Sequence, residues 1–154
     1  MNSAIERLLT LRVKDMMRRD VLVVRKTDTM EQAAATLSEA GVSGAPVVDE
    51  AGRCVGIVSG ADFVRQQSTR NGTATMSAEN GGVYQLQPCH DQLVADHMTP
   101  VVQTVDPESP IINAARVLCE ERIHRLVVVD ENGRPEGVLS SLDFVAAMVA
   151  AIEE

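Results

Sequence analysis

Aromatic side chains are nearly missing from this chain: Phe63, Tyr84 and Phe144 are the whole set, and tryptophan is absent. A core made without rings must be assembled from Val, Ile, Leu, Ala and Met, and a planar ligand would be gripped by aliphatic contacts and backbone hydrogen bonds. An excess of positive charge is missing too. With 14 Lys and Arg against 22 Asp and Glu, the net charge of −8 argues against broad nucleic-acid binding or adsorption to anionic membrane, since both need a basic surface. Local basic pockets remain compatible with that total. Cys54, Cys89 and Cys119 are odd in number and show no CxxC spacing, which indicates neither a disulfide framework nor a zinc knuckle and fits a reducing cytoplasm. No apolar leader and no run near the roughly 18–20 residues of a membrane span occurs, so a soluble protein with no membrane partner is expected.

Catalytic signatures are missing as well. No Walker lysine or dinucleotide glycine fingerprint is present, and no Ser or Cys pairs with His in a recognisable local signature. Cys89-His90, His97 and Cys119 match no zinc spacing, and surface positions without metal are the commoner reading. Neither catalytic nor metal-ligating residues are therefore assigned.

What is present is a duplication. Residues 13–64 align with 94–145 without a gap. Shared positions include Val13/Val94, Asp15/Asp96, Met17/Met98, Ala33/Ala114 and Leu37/Leu118, and the match tightens over Val47/Val128, Val48/Val129, Asp49/Asp130, Gly52/Gly133, Gly56/Gly137, Ser59/Ser140, Asp62/Asp143 and Phe63/Phe144. At 154 residues the chain has room for two such units sharing a core, neither of which should stand alone.

Each copy reads β-α-β-β-α, an α+β arrangement. Short apolar runs, Val21 to Val24 and Val101 to Val105, suit strands; Met30, Ala33, Ala34, Leu37 and Ile111, Ala114, Ala115, Leu118 then fall at helical spacing. Thr27 or Asp28, and Ser109 before Pro110, are the expected helix caps. Hairpins follow, pairing Ala45 to Val48 with Cys54 to Ser59 and Leu126 to Val129 with Glu136 to Ser140, each turning on a glycine that supplies positive φ. The last helix starts at Gly60 or Ser141 and lays Phe63 or Phe144 on the sheet. The expected division is an N-terminal helix over 1–12, a first unit over 13–66, a linker over 67–92 rich in Ser, Thr, Asn, Gly and Gln with a weak helical hint at Met76 to Glu79, and a second unit over 93–152. For the N-terminal helix, with Ile5, Leu8 and Leu9 on one face, two readings stand equally: packing on a partner subunit, or closing its own core.

The duplicated corner Gly56-Ile57-Val58-Ser59-Gly60-Ala61-Asp62 and Gly137-Val138-Leu139-Ser140-Ser141-Leu142-Asp143 is a strand end, a hydroxyl residue and a helix start carrying an acid. Free N–H groups at a helix N-terminus hold phosphate, and a carboxylate one turn along accepts ribose hydroxyls. The competing reading, favoured by cap statistics alone, makes Ser59 and Ser140 N-caps and Asp62 and Asp143 first-turn acids. Arg125, in Ile123-His124-Arg125-Leu126, is the strongest candidate phosphate ligand because a guanidinium forks onto phosphate oxygens; pairing with Glu120 or Glu121 is the alternative. His124 is more often a hydrogen-bonded edge residue than a pH switch. The matching positions in the first copy are Val42, Ser43 and Gly44, with no cation, so the two sites cannot be equal. Arg18 and Arg19 stand where the second copy has Thr99-Pro100, offering charge to a cleft or simply solvated. Val42, Ala45, Ile123 and Leu126 read either as apolar walls around an adenine or as sheet core; Thr104 completes the candidate set.

The motifs VKDMM, VADHMTP, GVSGAPVVDEAGRCVGIVSGADF and RIHRLVVVDENGRPEGVLSSLDF together resemble the cystathionine-beta-synthase-type (CBS) domain family, with two copies paired as in a Bateman module, over nearly the whole chain. The resemblance implies two sheets packed face to face with pseudo-two-fold symmetry, two clefts between them, and dimerisation into a flat disc. It further implies regulatory binding of AMP, ADP, ATP or S-adenosylmethionine, with Ser59 and Ser140 on phosphate or ribose, Asp62 and Asp143 on the ribose diol, and the His124-Arg125 pair facing phosphate. No cofactor is required on this reading. The expected protein is a stand-alone cytoplasmic homodimer, not an enzyme, acting on a separate regulated polypeptide; the alternative is a structural or oligomerisation module with no bound nucleotide.

Overall fold

The computed structural model describes residues 3–71, 92–100 and 103–153. Helix α1 (Ser3–Thr10) precedes a first unit of α2 (Val13–Met16), β1 (Val24–Arg25), α3 (Met30–Ala40), β2 (Gly44–Val48), β3 (Cys54–Ser59) and α4 (Gly60–Asn71). The second unit contains α5 (Val94–His97), β4 (Thr99–Pro100), β5 (Thr104–Val105), α6 (Ile111–Glu121), β6 (Arg125–Val129), β7 (Pro135–Ser140) and α7 (Ser141–Glu153). The expected linker lies mostly outside the described residues, including Met76 to Glu79, Tyr84, Cys89 and His90.

The hairpins fold as their periodicity requires, but the first opening strand is shorter than the apolar run predicts, with Val21 to Val23 outside β1. β1 runs parallel to β2 and β2 antiparallel to β3, with Ala45 opposite Val58. β5, β6 and β7 repeat the pattern, with Leu126 opposite Leu139. Both ladders slip at the same place, between Val47 and Val48 and between Val128 and Val129. Gly52 and Gly133 hold φ of 80° and 78° at the turns, the left-handed region where a Cβ would be strained.

The helix starts differ from expectation. Thr29, not Thr27 or Asp28, caps α3: its hydroxyl accepts the Gln32 N–H at 3.1 Å while the Gln32 amide oxygen accepts the Thr29 N–H at 2.9 Å. Asp28 turns back to accept the Arg25 N–H at 3.0 Å. Pro110, not Ser109, stands at the cap of α6 and gives no side-chain bond. Chain segments from outside each unit serve the first helical N–H groups instead, since Met30 N–H donates to the Gln92 carbonyl at 2.8 Å and Ile111 N–H to the Leu11 carbonyl at 3.1 Å.

The two units are exchanged at their beginnings. Val94 opens the second unit yet is fully buried in the first core with Val24, Met30, Ala33, Leu37, Ala45, Val47 and Val58. Val13 opens the first unit yet is fully buried in the second core with Val105, Ala114, Leu118, Leu126, Val128 and Leu139. β4 then pairs with β3, setting Thr99 opposite Ile57, and Arg18 exchanges both backbone hydrogen bonds with Val138, at 2.9 and 3.0 Å. The hairpin tips also touch, with Cys54 N–H donating to the Gly133 carbonyl at 2.9 Å. The symmetry-related bond is impossible because Pro135 has no N–H, and Arg134 Nε reaches the Ala51 carbonyl at 3.3 Å instead. Helix α1 packs on α7 and α6, where the Arg7 guanidinium donates to the Ala151 carbonyl at 2.7 Å. It touches the chain's own second unit but buries none of its own residues, and Ile5 and Leu9 stay exposed, so both readings of this helix stand.

Candidate functional site

The corners where β3 meets α4 and β7 meets α7 are built alike at one carboxylate oxygen. Asp62 Oδ2 accepts the Ser59 N–H at 2.8 Å and lies 3.3 Å from its hydroxyl; Asp143 Oδ2 accepts the Ser140 N–H at 2.8 Å and its hydroxyl at 3.0 Å. In the second corner the Asp143 N–H also donates to Ser140 Oγ at 3.3 Å. These are helix-capping arrangements, so the cap reading of Ser59, Ser140, Asp62 and Asp143 describes half of each carboxylate. Only Oδ1 remains for anything else.

At Oδ1 the corners part company. Asp62 Oδ1 accepts the Thr99 hydroxyl at 2.8 Å, brought in by the exchanged strand β4, and the Arg65 guanidinium from one turn along α4. The Asp62 side chain is consequently 0% exposed. Position 18 takes the place of Thr99 in the second unit, and Arg18 Nε lies 3.7 Å from Asp143 Oδ1 with its own side chain 73% exposed. Of the two arginines ahead of the first strand, Arg18 is therefore the one beside a corner carboxylate. Arg19 instead donates to the Lys14 carbonyl at 3.3 Å.

Arg125 does not pair with Glu120 or Glu121 in any ion pair among the described residues. It crosses to the first unit and donates to the Ser43 hydroxyl. Gly44 makes that crossing possible: a Cβ there would stand 2.9 Å from the guanidinium, 3.1 Å from the Val58 carbonyl and 3.2 Å from Ser59 Cβ. The first copy lacks a cation of its own at this position, and one arrives from the second. His124 is exposed, and its carbonyl accepts the Ser141 N–H at 2.9 Å.

The four apolar candidates divide. Ala45 and Leu126 are 3% and 1% exposed and belong to the two cores, the alternative that the sequence left open. Val42 and Ile123 stay exposed just ahead of β2 and β6, and Thr104 is exposed on β5 opposite Val127. A concavity of about 480 Å³ lies elsewhere, at the hairpin end of the β6–β7 ladder, lined by Lys14, Arg19, Glu108, Asp130 and Glu136 among others. Ser140 and Arg125 sit at the opposite end of that ladder, so this hollow is not the corner site. Its acids outnumber its two cations, a poor match to an anion. Burial pushes the Cys54 thiol above its ordinary pKa, which makes it a weak nucleophile. No cluster of metal-ligating side chains occurs among the described residues, and none of their helices is long and apolar enough to cross a membrane.

Sequence reasoning missed Thr99 and Arg65. Thr99 reaches Asp62 only through the strand exchange. Arg65 could have been found by its place one turn after the acid, but Ala146 stands there in the second copy, so a search for shared positions passes over it.

The model of the CBS domain matches residues 13–68 and 94–150. The CBS domain-containing protein CBSX1, chloroplastic, of Arabidopsis thaliana is 32% identical over 139 residues, 83% of this chain, which spans 59% of that relative's length. A crystal structure of CBSX2 in complex with AMP superposes with a TM-score of 0.70 at 29% identity, covering 93% of this chain and 98% of that one. The CBS domain pair of protein MJ0100, in complex with 5-methylthioadenosine and S-adenosyl-L-methionine, gives 0.72 at 21% identity over 91% of this chain and 97% of that one, a likeness of fold. With both repeats matched, the chain belongs to the CBS domain family and is a CBS domain pair.

Proposed function

We propose that this CBS pair is a regulatory module, not an enzyme, that binds an adenosine nucleotide at the Ser140–Asp143 corner and passes the event to a regulated protein. One observation carries the reading: a carboxylate oxygen not used by the helix cap faces a mostly solvated arginine, Arg18, at 3.7 Å. That pair offers an acceptor for ribose hydroxyls and a cation for phosphate within one site. Arg125, held over Gly44 and against Ser43, is a second cation at the junction between the units. The AMP bound to CBSX2, a neighbour at 29% identity, supports the choice of ligand.

Regulation follows from where these groups sit. Arg18 lies on the segment exchanged into the second sheet and Arg125 bridges the units. A ligand that draws on both favours one relative placement of the repeats, and its differential affinity shifts the population. Titration calorimetry with AMP, ADP, ATP and S-adenosylmethionine tests the reading. Saturable binding to at least one supports it, and no heat from any refutes it.

A specific observation also favours association with a second copy. Leu142, Val145, Met148, Val149 and Ile152 of α7 are 64%, 53%, 52%, 49% and 74% exposed. Five large exposed aliphatic side chains along one helix form an apolar stripe of the kind that marks an interaction surface. Homodimerisation through α7 belongs to the proposal, and Met148→Glu should convert a dimer to a monomer in light scattering. An unchanged mass for the variant removes α7 from the interface. A cytoplasmic location belongs to the proposal as well, and cell fractionation tests it.

A further inference from the structure

We propose that the two nucleotide corners are unequal because Arg65 acts as an internal substitute for ligand, closing the Asp62 corner and leaving one nucleotide per chain at Asp143. The inference rests on the nucleotide reading given above and specifies which half of the pair performs it.

The helix cap occupies Oδ2 of both aspartates, so a ribose can be received only at Oδ1. In the first unit that oxygen already accepts the Thr99 hydroxyl at 2.8 Å and the Arg65 guanidinium, and Arg65 also donates to Thr99 Oγ1 at 3.3 Å. Three side chains thus satisfy one another, and the carboxylate is out of reach of solvent. A ribose entering there must break a charge-assisted bond to a buried acceptor before making its own. In the second unit Ala146 replaces Arg65 and has no polar group to offer, while Arg18 stands beyond hydrogen-bond distance of Oδ1 and the Asp143 side chain keeps 14% exposure. A ligand hydroxyl meets an open acceptor there.

The asymmetry is written in single residues and is transferable. Arg65→Ala removes the substitute while leaving the cap and Thr99 in place, and Arg65 is itself 67% exposed, so the fold has little reason to fail. Ala146→Arg installs the same group one turn after Asp143. Because a charge-assisted bond changes an equilibrium by about 10- to 100-fold, opening the first corner should bring its affinity within reach of the second.

The experiment is calorimetric titration of the full chain with AMP and, separately, S-adenosylmethionine, using wild type, Arg65→Ala and Ala146→Arg. One site per chain in wild type, two in Arg65→Ala, and at least 10-fold weaker binding in Ala146→Arg are expected. Asp143→Asn should weaken wild-type binding by about 10-fold or more and Asp62→Asn should not. Two equal sites in wild type, a single site persisting in Arg65→Ala, or wild-type binding lost with Asp62→Asn would each overturn the inference while leaving nucleotide binding intact. Absence of binding in every protein, with either probe, would overturn the nucleotide reading itself and the inference with it.

Discussion

The exchange of opening segments leaves no room for a side chain at Gly56. A Cβ on Gly56 would stand 2.6 Å from the Met98 sulfur and 2.9 Å from the Thr99 carbonyl oxygen. Met98 can rotate away, because a thioether chain is adaptable. The Thr99 carbonyl cannot, since Thr99 is fixed opposite Ile57 in the β3–β4 ladder. Gly56→Ala should therefore force β4 off β3 and cost about 1–3 kcal/mol, the usual range for overpacking a tight interior. For a domain of this size that corresponds to a fall in Tm of about 2–4 °C per kcal/mol. Gly137→Ala meets the Met17 sulfur at 2.6 Å and the Arg18 carbonyl at 2.9 Å and should lose a similar amount. Gly60 is the matched control: nothing lies within 4 Å of its Cβ position and its φ is not positive, so Gly60→Ala should be neutral or stabilising by up to about 1 kcal/mol. Urea unfolding of the three variants measures the difference. Gly56→Ala and Gly137→Ala with midpoints at or above that of Gly60→Ala would refute the exchanged arrangement.

Other consequences are independent of that one. Thr29→Ala loses the reciprocal cap on α3 and should destabilise by about 1 kcal/mol in the same urea assay, whereas Thr27→Ala should change little. Arg125→Ala removes the second cation at the junction between the units and should weaken AMP binding by about 10-fold or more; calorimetry in which it leaves affinity untouched removes Arg125 from the site. At pH 8 the raised pKa of Cys54 leaves less thiolate than its ordinary value would, so iodoacetamide should modify exposed Cys119 well before Cys54. Peptide mapping that finds Cys54 modified first contradicts the burial argument.

What could be read from the chain alone was whatever repeats locally. The hairpins, their glycine turns and the α3 and α6 faces follow from short-range periodicity, and the structure reproduces them within about a residue or two. The Ser–Asp corners were legible as places, because a strand end, a hydroxyl and an acid lie within four residues of one another. Their use was not. Val13 and Val94 were visible as matched apolar positions, yet nothing in a linear pattern says that each is buried in the other unit's core. Thr99 acquires its role through that same long-range pairing. Local pattern puts the α3 cap one or two residues early because Thr27, Asp28 and Thr29 are all competent cap residues, and only the packing of Met30 against the first core fixes which one stands at the helix start. Ala45 and Leu126 lay open to two readings for an equivalent reason: in a strand, face is decided by what packs on it, and both turn inward.

The proposed nucleotide site turns on one atom, Asp143 Oδ1. Asp143→Asn isolates that atom, since an amide oxygen can still accept the Ser140 N–H for the helix cap while the amide nitrogen turns an acceptor into a donor. Calorimetric titration of AMP into wild type and Asp143→Asn is the most direct test. Saturable binding in wild type that weakens by about 10-fold or more in the variant, at unchanged thermal stability, is the predicted result. Equal affinity in the two proteins would contradict it.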